Sequence, residues 1–214
     1  ADLPLAETDN LGLSISYELD ALGRITQATA AGAAETFAYD KRGNLTSHTD
    51  RTGATESFTY DALSRLTGYE DGSSIEEAYG YDRRGNVTSV IAGSSRSLYS
   101  YDGASNLTAI TQGSKLAVRY GYDHAGRAVS AEDGAGNKTT YAYDAVGNLT
   151  KETDSTGAVW RYDYDAQGNV VSSTSPANAQ QRWVYDAAGR LAETQDADGA
   201  KTVYERDALG NVTS

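Results

Sequence analysis

Short stretches in which large apolar or aromatic side chains alternate with small or polar ones recur along the whole chain, bounded mostly by Asp and Gly. Thr36 to Asp40 is one such stretch and Leu45 to Thr49 another. A period of two over a few residues predicts a half-buried β-strand, and no segment sustains the period of a helix. Between these two strands Lys41-Arg42-Gly43 reads as a tight loop. Gly43 takes the left-handed position that ends a type I turn with a bulge, and the Asp40 carboxylate accepts loop amides. Asp50-Arg51-Thr52-Gly53 reads as the next turn. A three-residue loop puts Asp40 opposite Asn44, Tyr39 opposite Leu45 and Ala38 opposite Thr46. Phe37, Tyr39 and Leu45 then share one face, and Ala38 and Thr46 point to the other.

The same hairpin is spelled ten times between Tyr17 and Thr213: aromatic, small residue, Tyr, Asp, two variable residues, Gly, Asn or Arg, Leu or Val, usually Thr. Its aspartates are Asp20, Asp40, Asp61, Asp82, Asp102, Asp123, Asp144, Asp165, Asp186 and Asp207, always 20 or 21 residues apart. A fixed period of that size means one supersecondary unit stacked on copies of itself, so residues 1–214 read as a single array, with 1–16 a partial leading repeat. The predicted fold is all-β: tandem antiparallel hairpins forming one long, curved and twisted sheet. Its structural motif residues are Tyr39, Tyr60, Tyr81, Tyr101, Tyr122, Tyr143, Tyr164 and Tyr185, expected to form a stacked ladder. Asp40, Asp61, Asp82, Asp102, Asp123, Asp144, Asp165 and Asp186 fix the turns with Gly43, Gly85, Gly126, Gly147, Gly168 and Gly189. Ser64 and Ser105 replace the turn glycine in two repeats, where a left-handed residue with a side chain is strained. The second turns vary more and are expected at an exposed rim.

Composition then decides whether such an array folds. Leu, Ile, Val and Phe are scarce, but fifteen of the sixteen tyrosines lie inside the repeated phrase and supply buried area in their place. Thirty acidic against 18 basic residues give a net charge of −12. That disfavours nucleic acid or an anionic lipid surface as the main partner. No apolar run is long enough for a membrane span and no signal peptide is visible. The absence of cysteine removes disulfides and thiolate metal sites. The chain begins and ends in mid-pattern, as a piece of a longer array would, and bare strand edges predict edge-to-edge self-association.

The phrase, as in Tyr81-Asp82-Arg83-Arg84-Gly85-Asn86-Val87-Thr88 and Tyr143-Asp144-Ala145-Val146-Gly147-Asn148-Leu149-Thr150, resembles the YD or Rhs (rearrangement hotspot) repeat. That family includes bacterial polymorphic toxins, the B and C components of insecticidal toxin complexes, wall-associated proteins and teneurins. The resemblance implies a secreted or cell-surface protein in which a β-sheet spirals into a hollow shell, and in the toxins the shell encloses a toxic cargo domain. The partners it implies are the other repeats of the parent chain and the enclosed cargo. With only Pro4 and Pro176, the chain lacks the proline-containing core motif linked to self-cleavage, so neither proteolytic nor toxic activity carries over. Twenty strands at ~4.8 Å give roughly 95 Å of sheet, whereas one turn around a cargo of about 130 residues needs about 145 Å. The piece is therefore read as an open segment of wall.

Candidate chemistry is sparse. His48 and His124 lie 76 positions apart without metal spacing, and no nucleophile, base and orienting group are marked by pattern. Asp196-Ala197-Asp198-Gly199 with Glu205 partly imitates a calcium loop, but Thr194 occupies the first ligand position. Asn-x-Thr triplets follow from the phrase itself. No catalytic, cofactor or metal site is therefore expected, and the function read from the chain is a non-catalytic scaffold. The alternative is an extracellular carbohydrate- or receptor-binding repeat module, since stacked aromatic hairpins also hold sugars. Only Trp160 and Trp183 are present, fewer than such modules carry.

Overall fold

A computed structural model describes residues 5–8, 14–72, 76–207 and 210–213. Every helix-or-strand element among them is a β-strand, twenty in all, and the pairings are antiparallel. The fold is all-β, an open antiparallel sheet of tandem hairpins. Contacts divide the chain into two compact units, residues 1–101 with 110–114 and residues 102–109 with 115–214. In the first, each strand from Leu5–Thr8 to Ser95–Tyr101 pairs with the next in chain order. In the second, the same meander runs from Lys115–Tyr122 to Lys201–Val203. Only a turn separates partners, so every pairing is local in sequence.

The specimen hairpin joins Ala33–Tyr39 to Leu45–Thr49. Tyr39 faces Leu45 as the loop length requires, but Ala38 faces Ser47 and Phe37 faces His48. The expected pairing of Ala38 with Thr46 is thus corrected. Thr46 is the extra residue of a β-bulge, which adds the local twist that a tightly closed hairpin needs and leaves one residue out of the ladder. The same shift falls immediately before the phrase tyrosine at Thr59/Tyr60, Gly80/Tyr81, Gly121/Tyr122, Ala142/Tyr143, Asp163/Tyr164 and Val184/Tyr185.

All ten first turns close alike. In the specimen, Asp40 N donates to Asn44 O at 2.9 Å and Gly43 N to Asp40 O at 3.1 Å. Gly43 sits at φ 93°, and Ser64 and Ser105 are indeed held at 61° and 69°. Two kinds of second turn occur among the described residues. Those opened by Asp50, Asp133, Asp154, Ser175 and Asp196 repeat the first-turn geometry. Ala31-Gly32 and Gly93-Ser94 are two-residue links between paired strands.

The sheet has almost no interior. Ala28 and Ala30 are the only buried apolar residues among those described, and Ser172 the only buried polar one. Most strand positions are half-buried, so stability comes from ladders and from contacts between adjacent hairpins rather than from one core. Leu22, Leu63 and Val146 stand exposed at the tips of first turns.

Candidate functional site at the repeat junctions

Each phrase aspartate organises its own turn. Asp40 Oδ1 accepts the amides of Arg42 and Asn44, both at 2.9 Å, while its Oδ2 accepts Asn44 Nδ2 at 2.8 Å. The bonds from Asn44, its side-chain amide foremost, outweigh burial and hold the Asp40 carboxyl below its usual range. Asp82, Asp102, Asp144 and Asp165 are bonded in the same way to Asn86, Asn106, Asn148 and Asn169. In the Arg repeats a guanidinium takes the place of the amide. Asp20, Asp61, Asp123 and Asp186 pair with Arg24, Arg65, Arg127 and Arg190 at 2.5–2.8 Å.

The arginines also reach forward. Arg24, Arg65 and Arg127 donate through Nη1 to the backbone carbonyls of Asp40, Asp82 and Asp144 in the next repeat, at 3.0–3.3 Å. Their cations lie 4.5–4.9 Å over the rings of Tyr39, Tyr81 and Tyr143. Such a contact adds about 0.5–1 kcal/mol at a half-exposed site.

A second link runs back along the chain. The hydroxyls of Tyr81, Tyr101, Tyr122, Tyr143, Tyr164 and Tyr185 donate to the carbonyls of Leu66, Val87, Leu107, Ala128, Leu149 and Val170, at 2.7–3.1 Å. Leu66, Val87, Ala128, Leu149 and Val170 each face the preceding repeat's tyrosine, at the start of the bulge, where the interrupted ladder leaves a carbonyl to be satisfied. Arg206 stands where the phrase has tyrosine, and its Nη2 takes the Leu191 carbonyl at 2.9 Å. A long side chain ending in a donor is therefore what the position requires.

The predicted ladder thus takes another form. Among the described residues no two of the eight tyrosine rings stack on each other; the ring pairs are Phe37 with His48 and Phe58 with Tyr69. From Tyr81 onward the tyrosines line up because each reaches the hairpin before it, and burial pushes the hydroxyls of Tyr60, Tyr101, Tyr122 and Tyr164 above the usual phenol range. Among the described residues Tyr39 and Tyr60 make no such backward bond. The small residues between the aromatics are tightly fitted: a Cβ on Gly80 or Gly121 would lie 2.4 Å from Ser89 Oγ or 2.7 Å from Ser130 Oγ.

His48 and the calcium-like stretch singled out in the sequence are engaged in structure. His48 Nδ1 lies 3.2 Å from Glu56, which also accepts the Tyr69 hydroxyl at 2.8 Å. Asp196 accepts the amides of Asp198 and Ala200, so the calcium-like stretch is a capped turn. No group of three or more metal-ligating side chains converges among the described residues.

A teneurin YD-shell family model matches residues 6–139, well over half of the chain. This chain belongs to the YD-shell family. RHS repeat models match residues 122–159, 143–180 and 185–214. No curated protein matches. Among solved structures, TcdB2-TccC3 without its hypervariable C-terminal region superposes with a TM-score of 0.50 at 14% identity, covering 92% of this chain and 14% of that one. TcdB2-TccC3 gives 0.49 at 15% identity over 98% of this chain and 14% of that one. TcdB2-TccC3-Cdc42 gives 0.48 at 14% identity over 94% and 15%. The first of these likenesses supports the fold, and this chain spans about one seventh of the length of each of those chains.

Proposed function

We propose that this chain is a length of wall: non-catalytic shell repeats that, within a secreted or cell-surface bacterial protein, help to enclose a toxin or other cargo domain. The observation that carries the reading is the junction chemistry. From Tyr81 onward each hairpin supplies a tyrosine, or Arg206, that takes a main-chain carbonyl of the hairpin before it. Such units add indefinitely in one direction, which suits an envelope. Membership of the YD-shell family points the same way. The tyrosine hydroxyls are already bonded to main chain, which favours a wall over the capture of glycans.

Protease protection tests the enclosure. In the complete protein that carries these repeats, a cargo segment survives a trypsin concentration that digests the same segment expressed alone. Equal digestion in the two settings overturns the proposal. Saturable binding on a glycan array, abolished by Tyr→Ala changes in the phrase, overturns it in favour of a binding module.

A further inference from the structure

The first unit is electrically divided across its strands. At its first-turn tips the aspartate carboxylates are turned into their own turns, and the residues left facing solvent include Lys41, Arg42 and Arg83. Lys41 and Arg83 have no ion pair among the described residues. Arg42 is laid along the rim, with its guanidinium on the carbonyls of Asp61 and Ala62. The two basic tips are two hairpins apart, roughly 19 Å at ~4.8 Å per strand, with the exposed Leu63 between them.

At the opposite end of the neighbouring strands Leu66–Glu70 and Glu76–Tyr81 two acidic residues meet. Glu70 and Glu76 are exposed and lie directly opposite each other in the ladder, and Tyr69 is opposite Glu77. Like charges in direct cross-strand register repel, and among the described residues no cationic side chain forms an ion pair with either Glu70 or Glu76. The pair borders an open groove whose floor is made of small groups, Ser57, Thr59, Gly68 and Ala78. Gly68 keeps that floor low, since a Cβ there would lie 2.6 Å from Thr59 Oγ1. The groove combines two uncompensated carboxylates with room for a flat cationic head and its aliphatic stem.

We propose that the basic first-turn rim of this chain docks into the Glu70–Glu76 groove of a second copy, with Lys41 or Arg83 relieving the repulsion between the two carboxylates. This contact joins turn ends, not strand edges, and is independent of whether the repeats enclose a cargo. Being heterologous, it links copies head to tail.

Sedimentation velocity on the whole chain tests it. At ~20 mM salt the chain associates with rising concentration, and at ~500 mM, where the screening length falls to a few ångströms, it is monomeric. K41E/R83E and E70K/E76K each abolish association at low salt. The second variant is the sharper, because it lowers the net negative charge and so reduces general repulsion between copies. Mixing the two variants restores association, because reversed tips meet reversed grooves. A wild-type monomer at low salt, association that survives either variant or high salt, or a mixture that stays monomeric overturns the proposal. Far-UV circular dichroism matching the wild type establishes that each variant is folded.

Discussion

The hairpins closed by Arg127 and by Asn148 are adjacent copies of one design that handle their neighbours differently. Asn148 Nδ2 binds Asp144 Oδ2 at 2.9 Å and stays within its own turn. Arg127 makes the equivalent bond to Asp123 and then continues, with Nη1 on the Asp144 carbonyl at 3.1 Å and its cation 4.9 Å over the Tyr143 ring. In this pair the residue after the turn glycine decides whether the repeat is fastened to its successor by one link or by two. The backward tyrosine bond is the link common to both, at 2.7 Å for Tyr143 and 2.8 Å for Tyr164.

The largest expected difference comes from removing the ring that both links use. Tyr143→Leu and Tyr164→Leu each strand a bulge carbonyl, a loss of about 1–3 kcal/mol, and Tyr143→Leu also forfeits the guanidinium contact, about 0.5–1 kcal/mol more. Urea denaturation of the full chain places the Tyr143→Leu midpoint below that of Tyr164→Leu; equal midpoints break the comparison. A smaller effect follows from exchanging the closing residues. Arg127→Asn weakens the junction by about 0.5–1 kcal/mol, and Asn148→Arg gains a fraction of that by placing a cation near Tyr164. Hydrogen exchange in 141–150 rises in the first variant and falls in the second; the opposite order contradicts the forward link.

Acid has the least selective effect, because it acts on both kinds of turn. The Arg65 side chain holds the Asp61 carboxyl below its ordinary value, and the Asn44 side chain does the same for Asp40. A carboxyl depressed in the folded state contributes stability that is present above its unfolded value near ~4 and lost as pH falls through the folded value. A circular dichroism titration from pH 7 downward stays flat to about pH 5 and then unfolds below about pH 4. Salt moves the midpoint more for an array enriched in Arg turns than for one enriched in Asn turns. Stability that grows on acidification contradicts the role given to these aspartates.

Much of this was legible in the residues themselves. Period-two alternation located the strands, and Asp with Gly located the turns, because both signals are local. Even the strain at Ser64 and Ser105 follows from a missing glycine at a left-handed position. The bulge was not legible: the loop length fixes Tyr39 against Leu45, while the next pair depends on twist, and Thr46 carries no mark of being the extra residue. The use of the tyrosine hydroxyl was hidden for the same reason, since its acceptor exists only once the ladder is interrupted. One signal pointed to it. Arg206 in place of tyrosine preserves a distant donor and discards the aromatic ring, which a stacking role would not tolerate.

The backward bond from Tyr164 spans 15 positions, and Tyr143 and Tyr185 span the same interval. Excising one whole period between them brings the next tyrosine to the same reach from the same kind of acceptor, so the seam closes over the gap. Cutting out half a period leaves a turn where a strand should be. Genes for such proteins can therefore lengthen or shorten by whole units through unequal exchange with little harm to what flanks the event, and the length of the array becomes a heritable variable that moves in steps of one hairpin.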